Sequence, residues 1–232
     1  MGRTGRIVVR EMAHHVTQRG NRRQQTFFCD DDYRAYLSLL KDECGRCAVR
    51  VLAYCLMPNH VHLVLVPSEE KALAAAVGQV HVRYTRRINF RERWRGYLWQ
   101  GRFGSAVMDE AYLLNATAYI ERNPVKAHLA ERAEHWPWSS GAAHVSGRAD
   151  AIAETGWLSE RVAGWICPWG EYLAREDCES VAPLLRRGET TGRPIGDGRF
   201  LAAIGRLIGR DLMPNKPGPK PKRRPEDEKK PS

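Results

Sequence analysis

The stretch from Val49 to Val66 constrains the fold more than any other part of the chain. Val49 to Leu56 is a run of β-branched and apolar residues, Met57-Pro58-Asn59 carries turn chemistry, and His60 to Val66 is a second apolar run that Pro67 ends. Two such runs joined by a short turn specify a hairpin of antiparallel strands. Alternate residues of a strand share a face, so Val61, Leu63 and Leu65 point into a core while His60 and His62 point together to the other side.

The flanking segments supply the rest of a sheet. Residues 7–19 read as a strand, opened by Ile7, Val8 and Val9, continued by His14-His15-Val16-Thr17 and broken at Gly20-Asn21. Asp30 to Asp32 suit the positive end of a helix dipole, and Tyr33, Tyr36, Leu37 and Leu40 follow at helical spacing until Gly45. Residues 69–88 place Ala72, Leu73, Ala76, Val77, Val80 and Tyr84 on one helix face. Tyr97 to Met108 reads as a last strand despite Gly101 and Gly104. Asp109 then caps a helix that runs to about Arg122 and is closed by Pro124. The order is β-α-β-β-α-β-α. Its first six elements predict an α+β, ferredoxin-like split β-α-β fold: an antiparallel sheet with helices on one face, and an added helix at residues 110–122.

Past residue 130 the pattern changes. Trp136-Pro137-Trp138-Ser139-Ser140 is turn-like, residues 157–187 suggest short helices, Thr191 to Pro194 a loop, and Gly198 to Arg210 an amphipathic helix. Together these suggest a helical extension, with a helix-turn-helix-like arrangement as one reading. From Lys216 to Arg224 the chain alternates Lys, Pro, Gly and Arg, a composition expected to be disordered when unbound.

Charge narrows the partners. The chain carries 37 Lys and Arg against 27 Asp and Glu, a formal net charge of +10. That balance points to a polyanion, nucleic acid before membrane. No apolar run approaches the roughly 20 residues of a membrane helix, and the basic N-terminus lacks an apolar segment with a cleavage site, so the expected compartment is the cytoplasm. The six cysteines are scattered, and Cys44-x-x-Cys47 has no second pair at zinc spacing, which favours reduced thiols.

Three groups of side chains can carry chemistry. His60 and His62, about 7 Å apart along a strand, suit chelation of one divalent cation or simply the exposed end of a half-buried strand. Tyr119 and Asn123 share a helix face, with Ala116 one turn earlier leaving space beside the phenol and Tyr112 seven residues before. The tyrosine suits a nucleophile or an anchor of the helix on the sheet. Arg19, Arg22 and Arg23, and then Arg83, Arg86, Arg87, Arg91, Arg93 and Arg95, form two basic stretches suited to phosphates or to a solvated face. Trp94, Trp99, Trp136 and Trp138 suit stacking on unpaired bases or core packing.

Taken in order, these segments resemble a known family. The His-hydrophobe-His pair follows Met-Pro-Asn, and Tyr119-Ile120 precedes Asn123-Pro124-Val125-Lys126-Ala127. With His14 to Asn21, Trp99-Gln100-Gly101-Arg102-Phe103, Trp138-Ser139-Ser140 and Thr191-Gly192-Arg193-Pro194, they are similar to the REP-associated tyrosine transposases of the HUH single-tyrosine superfamily. The resemblance spans residues 8–224. It implies a catalytic unit over residues 1–130, a DNA-binding helical extension over 131–215 and a basic tail over 216–232. It implies Tyr119 as a nucleophile that forms a 5′-phosphotyrosine, and a divalent metal, Mg²⁺ or Mn²⁺, held by His60, His62 and Asn123. The third ligand in related enzymes is often Gln, and the shorter Asn123 admits a bridging water. The implied partners are single-stranded DNA and hairpins with single-stranded flanks, bound by a monomer or homodimer. Arg102 and Arg193 join the basic stretches as DNA contacts, and Lys220, Lys222, Arg223 and Arg224 are suited to backbone phosphates. An inactive DNA-binding protein and a metal nuclease that uses water are the competing readings. An RNA-binding ferredoxin-like domain lacks the expected sheet-face aromatics.

Overall fold

The computed structural model describes residues 6–164, 167–175 and 182–212. Four strands, β1 (His14–Arg19), β2 (Val49–Met57), β3 (His60–Pro67) and β4 (Gly104–Val107), form one sheet in the order β2-β3-β1-β4. Every pair is antiparallel. Helix α1 (Asp30–Arg46) joins β1 to β2, and α2 (Ala72–Glu92) joins β3 to β4. This is the ferredoxin-like arrangement expected from the hydrophobic periods.

On one face of the sheet, α1 and α2 bury Val16, Leu56, Val61, Leu63 and Leu65 beneath Tyr36, Leu40, Leu73, Val77 and Tyr84. The alternation in β3 is as the sequence predicts. The opposite face differs from expectation, because helices cover it too. Helix α3 (Glu110–Glu121) runs into the short α4 (Asn123–Lys126), and after residue 130 come α5 (Gly141–Ser146), α6 (Gly156–Val162), α7 (Trp169–Ala174), α8 (Ala182–Thr191) and α9 (Gly198–Leu207). Cys55, Met57, Val64, Val66 and Ala106 pack in one cluster with Leu113, Ala116 and Ile120 of α3, Trp157, Leu173 and Leu185. The unbroken apolar run Leu63 to Val66 belongs to a strand buried on both sides, so one helical layer could never have satisfied it.

Both sheet edges are also covered, which removes open backbone groups that would otherwise pair with other chains. Residues 138–140 run beside β2, with Leu56 N donating to Trp138 O at 2.9 Å and Ser140 N to Tyr54 O at 3.0 Å. Beyond β4, Ile195 N donates to Val107 O at 2.8 Å and Asp109 N to Ile195 O at 3.0 Å.

Three element boundaries depart from the sequence reading. The first strand begins only at His14: Glu11 has φ 57°, and Ile7 and Val9 turn away to bury against Ile204 of α9. The last strand is confined to residues 104–107, and 97–103 form a loop bridged to Gly20 at Trp99. Pro124 does not close the helical path. Arg122 stays near helical geometry and α4 begins at once with Pro in its first turn, where the missing N–H costs little. Among the described residues, Cys29, Cys44, Cys47, Cys55 and Cys167 are free thiols, and no helix is long and apolar enough to cross a membrane.

Candidate active site

The site forms where β1, β3 and the α3–α4 path meet. Strand register sets Thr17 opposite His62 and Arg19 opposite His60, so these side chains share the face away from α1 and α2. The His60 and His62 ring centroids are 5.0 Å apart at 82°. His60 is half-buried, whereas His62 is only 4% exposed. Burial, with the positive charge of Arg19 second, lowers the His60 pKa to about 4. Burial, assisted by His60, His15 and Arg19, holds His62 well below the usual histidine value. Both rings are therefore neutral near pH 7, the state in which an imidazole lone pair can bind a cation.

Hydrogen bonds orient both rings. His60 Nδ1 lies 2.6 Å from Asn59 Oδ1, and the Asn59 amide nitrogen donates to Arg23 O at 3.1 Å. His62 Nδ1 lies 3.0 Å from His15 Nε2, and those two rings stack at 5.2 Å and 5°.

Helix α3 brings Tyr119 against this pair. Asp109 caps the helix by accepting from Tyr112 N at 2.9 Å, and its second carboxylate oxygen accepts from Asp197 N at 3.0 Å. The Tyr119 ring lies 6.0 Å from that of His62 at 88° and is 6% exposed. At the end of the helix, the buried carboxylate of Glu121 accepts from Ser140 Oγ at 2.7 Å, His144 Nδ1 at 2.6 Å and Trp169 Nε1 at 3.0 Å. The carboxylate two residues from the phenol is thus clamped by α5, α7 and the segment beside β2. The helix that carries Tyr119 is fixed at both ends by the C-terminal part of the same chain.

Asn123 follows on that path. Its amide nitrogen donates to Tyr119 O at 3.0 Å and Ile120 O at 3.4 Å, which leaves Oδ1 as its acceptor. Among the described residues, no group of three His, Cys, Asp or Glu side chains could hold a metal ion. The donor set that the resemblance implies would be the two neutral imidazoles with the carboxamide oxygen of Asn123. That set suits a modest-affinity Mg²⁺ site and suits Mn²⁺ better.

The basic side chains divide. Arg19 is partly buried at the histidines, and Arg22 and Arg23 are exposed on the adjoining turn. Arg83 is drawn into an ion pair with Glu43, 2.8 Å away, which Arg46 also contacts. Arg86 and Arg102 line a cleft of about 520 Å³ together with Gln18, Tyr97 and Phe103. Arg87 and Arg193 are exposed. Lys220, Lys222, Arg223 and Arg224 lie outside the described residues. Of the four tryptophans, Trp99 is buried and Trp136 donates to Leu56 O at 2.9 Å. Trp138 stacks on Tyr33 at 4.7 Å, and Trp94 is 45% exposed beside Phe28.

Two residues at the site were not singled out from the sequence. Lys126 Nζ sits 4.6 Å from the Tyr119 ring centroid; its i+7 spacing, two helical turns on, could have found it. His15 has no such local signal, because only strand pairing brings it to His62.

A family model described as "Transposase IS200 like" matches residues 8–123. A sequence from Haemophilus influenzae, described as a REP-associated tyrosine transposase, is 27% identical over 124 residues, 49% of this chain and 70% of that one. A solved structure of a REP-associated tyrosine transposase bound to a REP hairpin superposes with a TM-score of 0.55 at 19% identity, covering 67% of this chain and 93% of that one. With half of its length matched by the family model, and the paired histidines and the tyrosine helix inside that half, the chain belongs to the IS200-like transposases.

Proposed function

We propose that the protein is a single-tyrosine strand transferase that cuts and rejoins single-stranded DNA beside hairpins. The observation that carries this reading is the placement of the Tyr119 ring 6.0 Å from His62, with His60 adjoining, inside one chain. The phenol oxygen of Tyr119 attacks the scissile phosphorus and loses its proton to solvent, the P–O3′ bond breaks and the 3′-oxygen takes up a proton to leave as a hydroxyl, and the 5′-phosphate becomes esterified to the tyrosine. The ester keeps the bond energy, so the 3′-hydroxyl of another strand can displace Tyr119 and join the DNA without an external energy source.

His60, His62 and Oδ1 of Asn123 are the groups to hold Mg²⁺ or Mn²⁺, which when bound would polarise a phosphate oxygen and favour in-line attack. Lys126 places positive charge over the Tyr119 ring, which favours negative charge on the phenol oxygen as it attacks and as it leaves. Arg19, with Arg22 and Arg23 beyond it, supplies charge for the phosphates flanking the cut. The choice of hairpin DNA is supported by the solved relative described as bound to a REP hairpin and by the net charge of +10. A cytoplasmic setting fits such a substrate.

The test is a denaturing gel of a labelled hairpin with single-stranded flanks, incubated with Mn²⁺. The wild type should give a covalent protein–DNA band that Tyr119→Phe lacks while still binding the hairpin. Full cleavage by Tyr119→Phe would instead support a nuclease that uses water. Binding without cleavage by the wild type, across salt and metal conditions, would support an inactive DNA-binding protein.

A further inference from the structure

His15 occupies a position that the proposed chemistry has not yet used. It is 1% exposed on β1, its ring plane lies within 5° of that of His62 with the centroids 5.2 Å apart, and its Nε2 is 3.0 Å from His62 Nδ1. Its other nitrogen, Nδ1, is buried and finds no hydrogen-bond partner among the described residues.

Two neutral imidazole nitrogens at that distance share one proton, so one ring donates and the other accepts. If His15 donates, the His62 proton sits on Nε2 and that nitrogen has no lone pair for a cation. If His15 accepts, His62 carries its proton on Nδ1 and can ligate through Nε2. The second state costs more without metal, because it leaves a buried N–H at His15 Nδ1 unpaired. Metal ligation would favour it.

His60 reaches the corresponding state with a different partner. Because the Asn59 amide nitrogen is committed to Arg23 O, the Asn59 oxygen faces His60, and His60 must donate through Nδ1. Metal-bound histidines generally donate their second N–H to an acceptor of this kind, which fixes both tautomer and ring orientation.

We propose that His15 is the positioning residue for His62: its Nε2 accepts the His62 Nδ1 proton and so directs His62 Nε2 to a divalent cation, as the Asn59 oxygen does for His60. This rests on the metal-assisted reading above. His15 touches neither DNA nor metal; it acts by setting which nitrogen of His62 is available.

The test uses the full chain and two substitutions. His15→Phe keeps a flat ring but has no acceptor, whereas His15→Gln restores one. Mn²⁺ binding is followed by electron paramagnetic resonance of the free ion, with thermal unfolding and hairpin binding in EDTA as checks on folding. His15→Phe should bind Mn²⁺ about 10- to 100-fold more weakly, and His15→Gln should recover most of that loss. Independently of any variant, nitrogen NMR of the Mg²⁺-loaded wild type should place the His62 proton on Nδ1. Undiminished Mn²⁺ affinity in a folded His15→Phe, or a His62 proton on Nε2 with Mg²⁺ bound, would overturn the role of His15 and leave the metal-assisted reading standing. A wild type that binds no Mn²⁺ would remove that reading, and the role of His15 with it.

Discussion

At the scale of single residues, His60 and His62 are neutral because they are buried, and they are oriented because each has its Nδ1 engaged. His60→Ala should therefore lower Mn²⁺ affinity and covalent-adduct yield together. It should leave the fold intact, since His60 is only half-buried and its side-chain hydrogen bond is to a neighbour in sequence. Calorimetric metal titration beside a melting curve checks this; a large fall in melting temperature would show His60 to be structural. Lys126→Met should slow adduct formation while leaving metal affinity unchanged, because the ammonium lies over the phenol ring. A single-turnover time course reads this directly, and an unchanged rate would exclude the role given to that charge. Strand and helix periods placed His60 with His62 on one face and Tyr119 with Asn123 on another, but the family resemblance alone favoured chemical roles over core packing. The role of His15 was not legible in the sequence. Its meeting with His62 depends on the pairing of β1 with β3, between residues 47 positions apart, which no local period encodes.

At the scale of elements, the helix that carries Tyr119 is held by its ends. Asp109 caps α3 and also accepts from Asp197 N, tying α3 to the segment that enters α9. Asp109→Ala should cost about 1–2 kcal/mol in chemical denaturation, the usual loss of a good cap. At the other end, Glu121→Gln turns an acceptor oxygen into a donor facing Ser140 and His144 or Trp169. That change should cost about 2–4 kcal/mol, because the conflict is buried and cannot recruit water. It should also lower adduct yield below what lost stability explains, since it loosens the helix that carries Tyr119. A Glu121→Gln protein with unchanged unfolding midpoint and activity would rule out the clamp. The cap at Asp109 was readable from sequence; the clamp was not, because the three partners of Glu121 lie 19 to 48 residues away in the chain. The short β4 and the late start of β1 were hidden for a related reason. Ile7, Val9 and Trp99 are apolar as strand residues are, yet they lie outside the strands, Ile7 and Val9 buried against Ile204 of α9 and Trp99 against Tyr36, His81 and Tyr84 of α1 and α2.

At the scale of the whole molecule, the C-terminal helices complete the second face of the sheet, the face that carries the histidines and Tyr119. One chain therefore assembles the phenol and both imidazoles by itself. A mixture of Tyr119→Phe with a His60→Ala, His62→Ala double variant should stay inactive on hairpin DNA; restored cleavage in the mixture would show that the tyrosine acts on a partner's histidines. With a net charge of +10, hairpin affinity should fall steeply and linearly on a logarithmic salt axis. Titrations at several salt concentrations measure that slope, and a flat dependence would argue against phosphate-led binding.

In the proposed reaction the DNA is held, between cutting and joining, on the phenol of Tyr119. Peptide mapping of the trapped adduct by mass spectrometry tests it most directly. The expected species is a nucleotide 5′-phosphate esterified to the peptide containing Tyr119. Attachment to Tyr112 or any other side chain, or cleaved DNA with no modified peptide at all, would contradict it.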